Sequence, residues 1–285
     1  MNPIVVKALR KADEVRQQYK IDMYKPINIF DLCIEIGITV RFVEINMEGM
    51  YFSQKNGSSP QILISNLRPM PRRTYTCAHE LGHHLFGHGS KIDNLGNEGL
   101  HVKEYDADEF LVDTFAGALL MPITGVLAEF AKRDWNIKTS TPNQFYTISS
   151  IFGTGYQSLI VHCQKNNIIS NSGATLLLRS TPGKILESIL GSETSNTHFK
   201  IIDNMNSSSV IDMEALNYII LPSTASVTGN HLRKYKNTKI GIAYIAEQPG
   251  IVHIITDEGE ENYFIRIQNS NYMGLAEYRH LENSN

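Results

Sequence analysis

The string His79-Glu80-Leu81-Gly82-His83 constrains this chain more than any other feature. It has chemical meaning only on a helix, where residues four apart share one face and both imidazoles can reach one ion. Glu80 then sits about 100° around the axis from His79, close enough to take a proton from water at that ion. The flanks agree: Tyr75, Ala78, Leu81, Leu85 and Phe86 make the helix apolar, as a ligand helix in a core must be. The same five-residue pattern also occurs in helices that bind nothing, so a third ligand has to be found.

Catalytic zinc takes three protein ligands and keeps one position open. One scheme places a Gly three residues and a third His six residues after the second His. Those positions here are Phe86 and Gly89, so that scheme fails. His88 would lie about 140° around the helix from His83, and it reads with His84 as a surface or supporting group. The other scheme takes a Glu from a following helix. Residues 88–103 read as a loop and 104–120 as a helix ending at Met121-Pro122. This helix carries two strings of the required form, from Glu104 to Asp108 and from Glu109 to Asp113. In each, the Glu would bind metal and the Asp one turn later would accept a hydrogen bond from a ligand His. Glu109 is favoured because an apolar run follows it, whereas Glu104 stands at the loop junction, where a solvated acid is expected. Glu104 stays as the alternative third ligand. His101 would give an all-His site, but loop histidines usually face solvent.

The remaining sequence reads as α+β. Residues 3–20 and 28–36 carry helical stripes, with Asn28 as N-cap and Gly37 as stop. Residues 39–45 and 61–65 read as strands. Helices follow over 124–132, from Thr141-Pro142 for about ten residues, and over 156–164. Residues 123–168 could hold a helix-turn-helix around Gly153-Thr154-Gly155. The second of its helices holds Gln157, Ser158 and His162 but almost no Lys or Arg, so direct nucleic-acid binding is not expected. Strands are expected over 218–221, 240–246, 251–256 and 263–268. The domain reading is therefore 1–170 as a metallopeptidase unit, 171–215 as a linker or irregular segment with one helical piece near 185–190, and 216–285 as a β-rich module without recognisable chemistry. Arg233, Lys234, Lys236 and Lys239 read as a solvated basic loop.

Composition adds exclusions. The 285 residues carry a net charge of −3, against a surface wholly devoted to nucleic acid. Three scattered cysteines, Cys33, Cys77 and Cys163, suit a reducing cytoplasm better than a disulfide framework. No signal-peptide h-region and no run of 18 apolar residues is present, so no membrane span is expected. Cys77 reads as a small core residue, and Tyr51 and Tyr105 as candidate oxyanion donors.

Two strings resemble the ImmA/IrrE family of zinc metallopeptidases: Thr76-Cys77-Ala78-His79-Glu80-Leu81-Gly82-His83-His84-Leu85-Phe86-Gly87-His88-Gly89, and Glu109 through Val112-Asp113 to the Phe-Ala-x-x-Leu-Leu-Met-Pro tail ending at Pro122. The tail is the more telling, because generic zinc binding has no use for it. The resemblance covers roughly residues 1–165. It implies a gluzincin-like domain with His79, His83 and Glu109 on Zn2+, Glu80 as the base, and Asp113 supporting a ligand His. It further implies cleavage of a helix-turn-helix transcriptional repressor, relieving repression of mobile-element or stress-response genes. Val112 departs from the usual Ala of the pattern. Two other functions stay open on the residues alone: a non-enzymatic regulator using the zinc fold as scaffold for a partner or DNA, and the toxin half of a two-gene module.

Overall fold

The computed structural model describes residues 2–53, 59–93, 106–194, 198–256 and 262–281. Its helices are α1 (Pro3–Gln18), α2 (Ile29–Ile36), α3 (Met70–Phe86), α4 (Ala107–Leu120), α5 (Ile123–Lys132), α6 (Pro142–Ile151), α7 (Tyr156–Lys165), α8 (Asn171–Leu178) and α9 (Pro182–Leu190). Its strands are β1 (Thr39–Val43), β2 (Gly49–Phe52), β3 (Gln61–Ser65), β4 (Lys91–Asp93), β5 (Phe199–Ile201), β6 (Val210–Glu214), β7 (Tyr218–Leu221), β8 (Ser226–Val227), β9 (Leu232–Thr238), β10 (Gly241–Ala246), β11 (Gly250–Ile255), β12 (Tyr263–Gln268) and β13 (Gly274–Leu275). The architecture is α+β. Two compact units form: Met1–Met23, Ile27–Pro122 and Asn271–Arg279 make the first; Tyr24–Pro26, Ile123–Ser270 and His280–Asn285 make the second.

The first unit is a five-stranded sheet, order β13-β1-β3-β2-β4, with helices packed on it. β1 and β3 run parallel and the other pairings are antiparallel. Asn28 caps α2 through the Asp31 amide, and Gly37, at φ 92°, ends it in the left-handed conformation that glycine adopts without steric cost. α3 starts at Met70, with Pro71 in the first turn, where no amide partner is needed. Residues 91–93 pair with β2, so the expected loop after α3 opens with a short strand.

α4 is buried along Leu111, Val112, Phe115, Ala116, Leu119 and Leu120. Its last turn leaves carbonyls without intrahelical partners. Arg16 of α1, fully buried, donates from Nε (3.0 Å) and Nη2 (2.6 Å) to Leu119 O and from Nη1 to Asp22 O at 2.8 Å. Burial lowers this guanidinium's pKa to about 10, and three carbonyl bonds offset part of that desolvation. Residues Ala107–Lys132 are long and apolar enough to cross a membrane by length and composition alone. However, 67% of its apolar 18-residue stretch is buried inside the protein, as in a core helix.

The second unit begins at α5, earlier than the boundary expected near residue 170. Its helices are tied to its strands by buried contacts. Arg133 bridges Glu129 (2.5 Å) and Asp203 (2.6 Å), and Tyr146 stacks on Phe199, donating to its carbonyl at 3.0 Å. The segment expected as linker, 171–215, is largely structured. Ser170 and Thr181 cap α8 and α9, Gly191 ends α9, and β5 and β6 follow. Their polar composition came from capping residues, not from irregular chain. The strand-rich part therefore starts before 216. Its sheets, ordered β5-β7-β10-β9 and β6-β12-β11-β8, enclose Ile211, Met213, Ile219, Leu221, Val252, Ile254, Ile265 and Ile267. Arg233, Lys234 and Lys236 of the basic cluster lie on strand β9, with Lys239 in the turn after it: Arg233 pairs with Glu247, and Lys236 Nζ donates to Leu190 O.

The tightest approach in the first unit is between α3 and α4. A Cβ on Gly82 would stand 2.9 Å from the Val112 Cβ and 3.1 Å from the Phe115 ring. Gly to Ala inside a helix normally gains about 1 kcal/mol. Here overpacking against an atom fixed to the neighbouring backbone costs about 1–3 kcal/mol, so the loss wins. Gly82→Ala is expected to lower the Tm by a few degrees in thermal unfolding; an unchanged or raised Tm would show that α4 retreats freely.

Candidate metal centre

His79 and His83 lie one turn apart on α3, both buried, and Glu109 stands in the first turn of α4. Asp106 starts that turn by accepting from the amides of Asp108 (2.9 Å) and Glu109 (3.3 Å), which fixes where the Glu109 backbone emerges. The two Nε2 atoms are 3.2 Å apart, His79 Nε2 is 3.2 Å from Glu109 Oε2, and His83 Nε2 is 3.5 Å from Glu109 Oε1. Ligand bonds of 2.0–2.1 Å at tetrahedral angles would separate donor atoms by about 3.3 Å. Each separation is close to that value, with the carboxylate presenting Oε2 to His79 and Oε1 to His83.

Proton bookkeeping points the same way. His79 Nδ1 is 2.9 Å from Asp113 Oδ1, a contact only an Nδ1–H can make with a carboxylate. A neutral His79 then turns the lone pair of Nε2 toward another carboxylate. A cation bound between them would satisfy this convergence of acceptors, so the side chains fit a metal ion. His79, His83 and Glu109 form the group among the described residues that could hold one.

The surrounding elements lock this arrangement. Tyr75, one turn before His79, donates its hydroxyl to the Asp113 carbonyl at 3.0 Å. Gly87, at φ 71°, ends α3, and the His88 amide returns to the His83 carbonyl (3.1 Å) in a Schellman turn. That turn swings His88 back, leaving its Nδ1 3.0 Å from His83 Nδ1. The helical angle assumed for His88 does not apply, because the helix stops before it. Asp108 Oδ1 is 3.6 Å from His88 Nε2. From sequence Tyr75 reads only as part of the apolar flank, and Asp108 only as the supporting acid of the alternative Glu104 string; the structure places Tyr75 on Asp113 and Asp108 beside His88.

Glu80 is completely buried beside these groups. Strand β2 runs close by: a Cβ on Gly49 would stand 2.6 Å from Thr76 Cγ2 and 3.3 Å from Glu80 Oε1. Glycine here lets the strand pass the carboxylate. Tyr51, two residues along, is engaged elsewhere, its hydroxyl 2.8 Å from His84 Nδ1. Burial holds His84 below its ordinary pKa and raises that of Tyr51. Cys77 is buried with its Sγ 3.7 Å from that of Cys33, and burial pushes its thiol well above the usual range, as expected of a core residue. Glu104, His101 and Tyr105 lie outside the described residues.

Asp113 is half exposed, so its loss should hardly touch stability. It orients His79, and removing such a support typically costs about 10–100-fold in metal affinity. Asp113→Ala should accordingly bind zinc 10–100-fold more weakly in chelator competition with an unchanged Tm; equal affinity would remove Asp113 from the centre.

Residues 33–162 match the Peptidase_M78 family model, described as the IrrE N-terminal-like domain. No curated protein matches the chain.

Proposed function

We propose, from the match of residues 33–162 to the IrrE N-terminal-like family model, that the protein is a zinc-dependent endopeptidase acting on a protein partner. The observation that carries this reading is the convergence of His79 Nε2, His83 Nε2 and Glu109 beside a fully buried Glu80. Two imidazoles and one carboxylate are a donor set of catalytic zinc, and three protein ligands leave a position open. A third ligand from the helix after the H-E-x-x-H helix is the gluzincin arrangement. When bound, zinc supplies a Lewis acid that acidifies water and polarises the scissile carbonyl.

The protein's own groups divide the remaining work. Glu80 accepts the proton of the attacking water and returns it to the departing amine, a role suited to a carboxylate shielded from bulk solvent. Asp113 keeps His79 in one tautomer. Glu109, held by α4 and not by a loop, sets the third donor without further ordering.

The partner we propose is a helix-turn-helix transcriptional repressor, cut in the cytoplasm to release mobile-element or stress-response genes. A protein is favoured over DNA as the ligand because α7 presents Gln157, Ser158 and His162 with Lys165 as its one cation. Co-expression with the repressor encoded beside it tests this directly. Wild type should produce a discrete fragment. Glu80→Gln should retain zinc and lose at least about 100-fold in cleavage rate. Equal cleavage by Glu80→Gln, or an intact repressor with zinc-loaded wild type, would overturn the reading.

A further inference from the structure

We propose that His88 is a positioning residue for the metal centre, holding His83 in the tautomer that can bind an ion while Asp108 favours the complementary tautomer of His88. The inference rests on the peptidase reading only in taking the centre to be a metal site.

The argument is one of proton counting. Two imidazole Nδ1 atoms 3.0 Å apart share a single proton. His83 turns Nε2 toward His79 Nε2 and Glu109, so Nε2 is its ligand atom and must carry the lone pair. In a neutral ring the proton then sits on Nδ1, which donates to His88 Nδ1. His88 in turn carries its proton on Nε2, the side on which Asp108 Oδ1 lies. At 3.6 Å this contact is long for a hydrogen bond, but the negative charge still favours an N–H there over a lone pair. The opposite assignment would put a proton on His83 Nε2 and close the site.

Three features hold His88 in place. The Schellman turn at Gly87 aims it back at His83, the Phe86 ring stacks on it at 5.9 Å and 23°, and its side chain is only 9% exposed. Together with Asp113 on His79, each ligand histidine is thus steadied from α4. Asp108, Glu109 and Asp113 supply the distal arm, the ligand and the direct arm from two turns of one helix.

The test uses full-length protein stripped of metal and titrated with zinc against a chromophoric chelator. His88→Leu, which keeps apolar bulk against Phe86, and His88→Ala, which adds none, should each weaken zinc binding about 10–100-fold. His88→Asn places an amide oxygen near the lost Nδ1 and should recover affinity to within about threefold. The visible spectrum of the cobalt-loaded protein should shift in the Leu and Ala variants and return in Asn. Zinc affinity within about twofold of wild type in the Leu or Ala variant would overturn the proposal. So would an Asn variant as weak as Leu, since packing alone would then explain the loss. Cleavage is not the readout: His88-dependent zinc binding with every repressor left intact would sink the peptidase reading alone, whereas cleavage with affinity indifferent to His88 would sink this one alone.

Discussion

The distance between α3 and α4 governs everything at the site. Two ligands are on one helix and the third is on the other, so the donor triangle exists only if the helices nearly touch. Gly82, inside the H-E-x-x-H string, is where they do: Val112 and Phe115 fill the space a side chain would need. The residue between the two histidines thus has a packing role as strict as the ligands' chemical one. Arg16 serves the same distance from the other end, gripping the Leu119 carbonyl in the last turn of α4 with two of its nitrogens. A buried guanidinium is costly to desolvate, and three hydrogen bonds to two carbonyls make it tolerable.

Around that contact, polar groups are arranged so that each hydrogen has one sensible place. Asp113 determines the tautomer of His79, and the shared proton between His83 and His88 determines that of both rings. Lone pairs are left pointing inward, toward the carboxylate of Glu109. Preorganisation of this kind reduces the reorganisation that accompanies ion binding.

Much of this was legible in the sequence because caps and periodicity are local. Asn28, Gly37 and Thr141-Pro142 mark helix ends by the bonds they make with their own neighbours. The placement of Glu109 and Asp113 followed from a four-residue spacing on an apolar helix. What sequence reasoning missed depends on partners far along the chain or on a single backbone turn. β4, β5 and β6 are short and defined by the strand beside them. α8 was obscured because the Ser and Asn residues around its start resemble loop composition. His88 was misplaced because its angle was reckoned on a helix that Gly87 ends one residue sooner.

The first unit is not continuous in the chain. After residue 122 the polypeptide builds Ile123–Ser270 of the second unit, then returns with Asn271–Arg279. β13 pairs with β1. Arg279, buried beneath the Phe30 ring at 5.0 Å, reaches Asn28 Oδ1 (3.5 Å) and Asp31 Oδ1 (3.3 Å) at the start of α2. During synthesis the ribosome must therefore emit some 150 further residues before the metal-binding unit receives its edge strand and the cation beneath α2. The metal helices are translated early, but the sheet they rest on is completed late. A nascent chain stalled within the second unit would carry every ligand and still lack part of the frame that supports them.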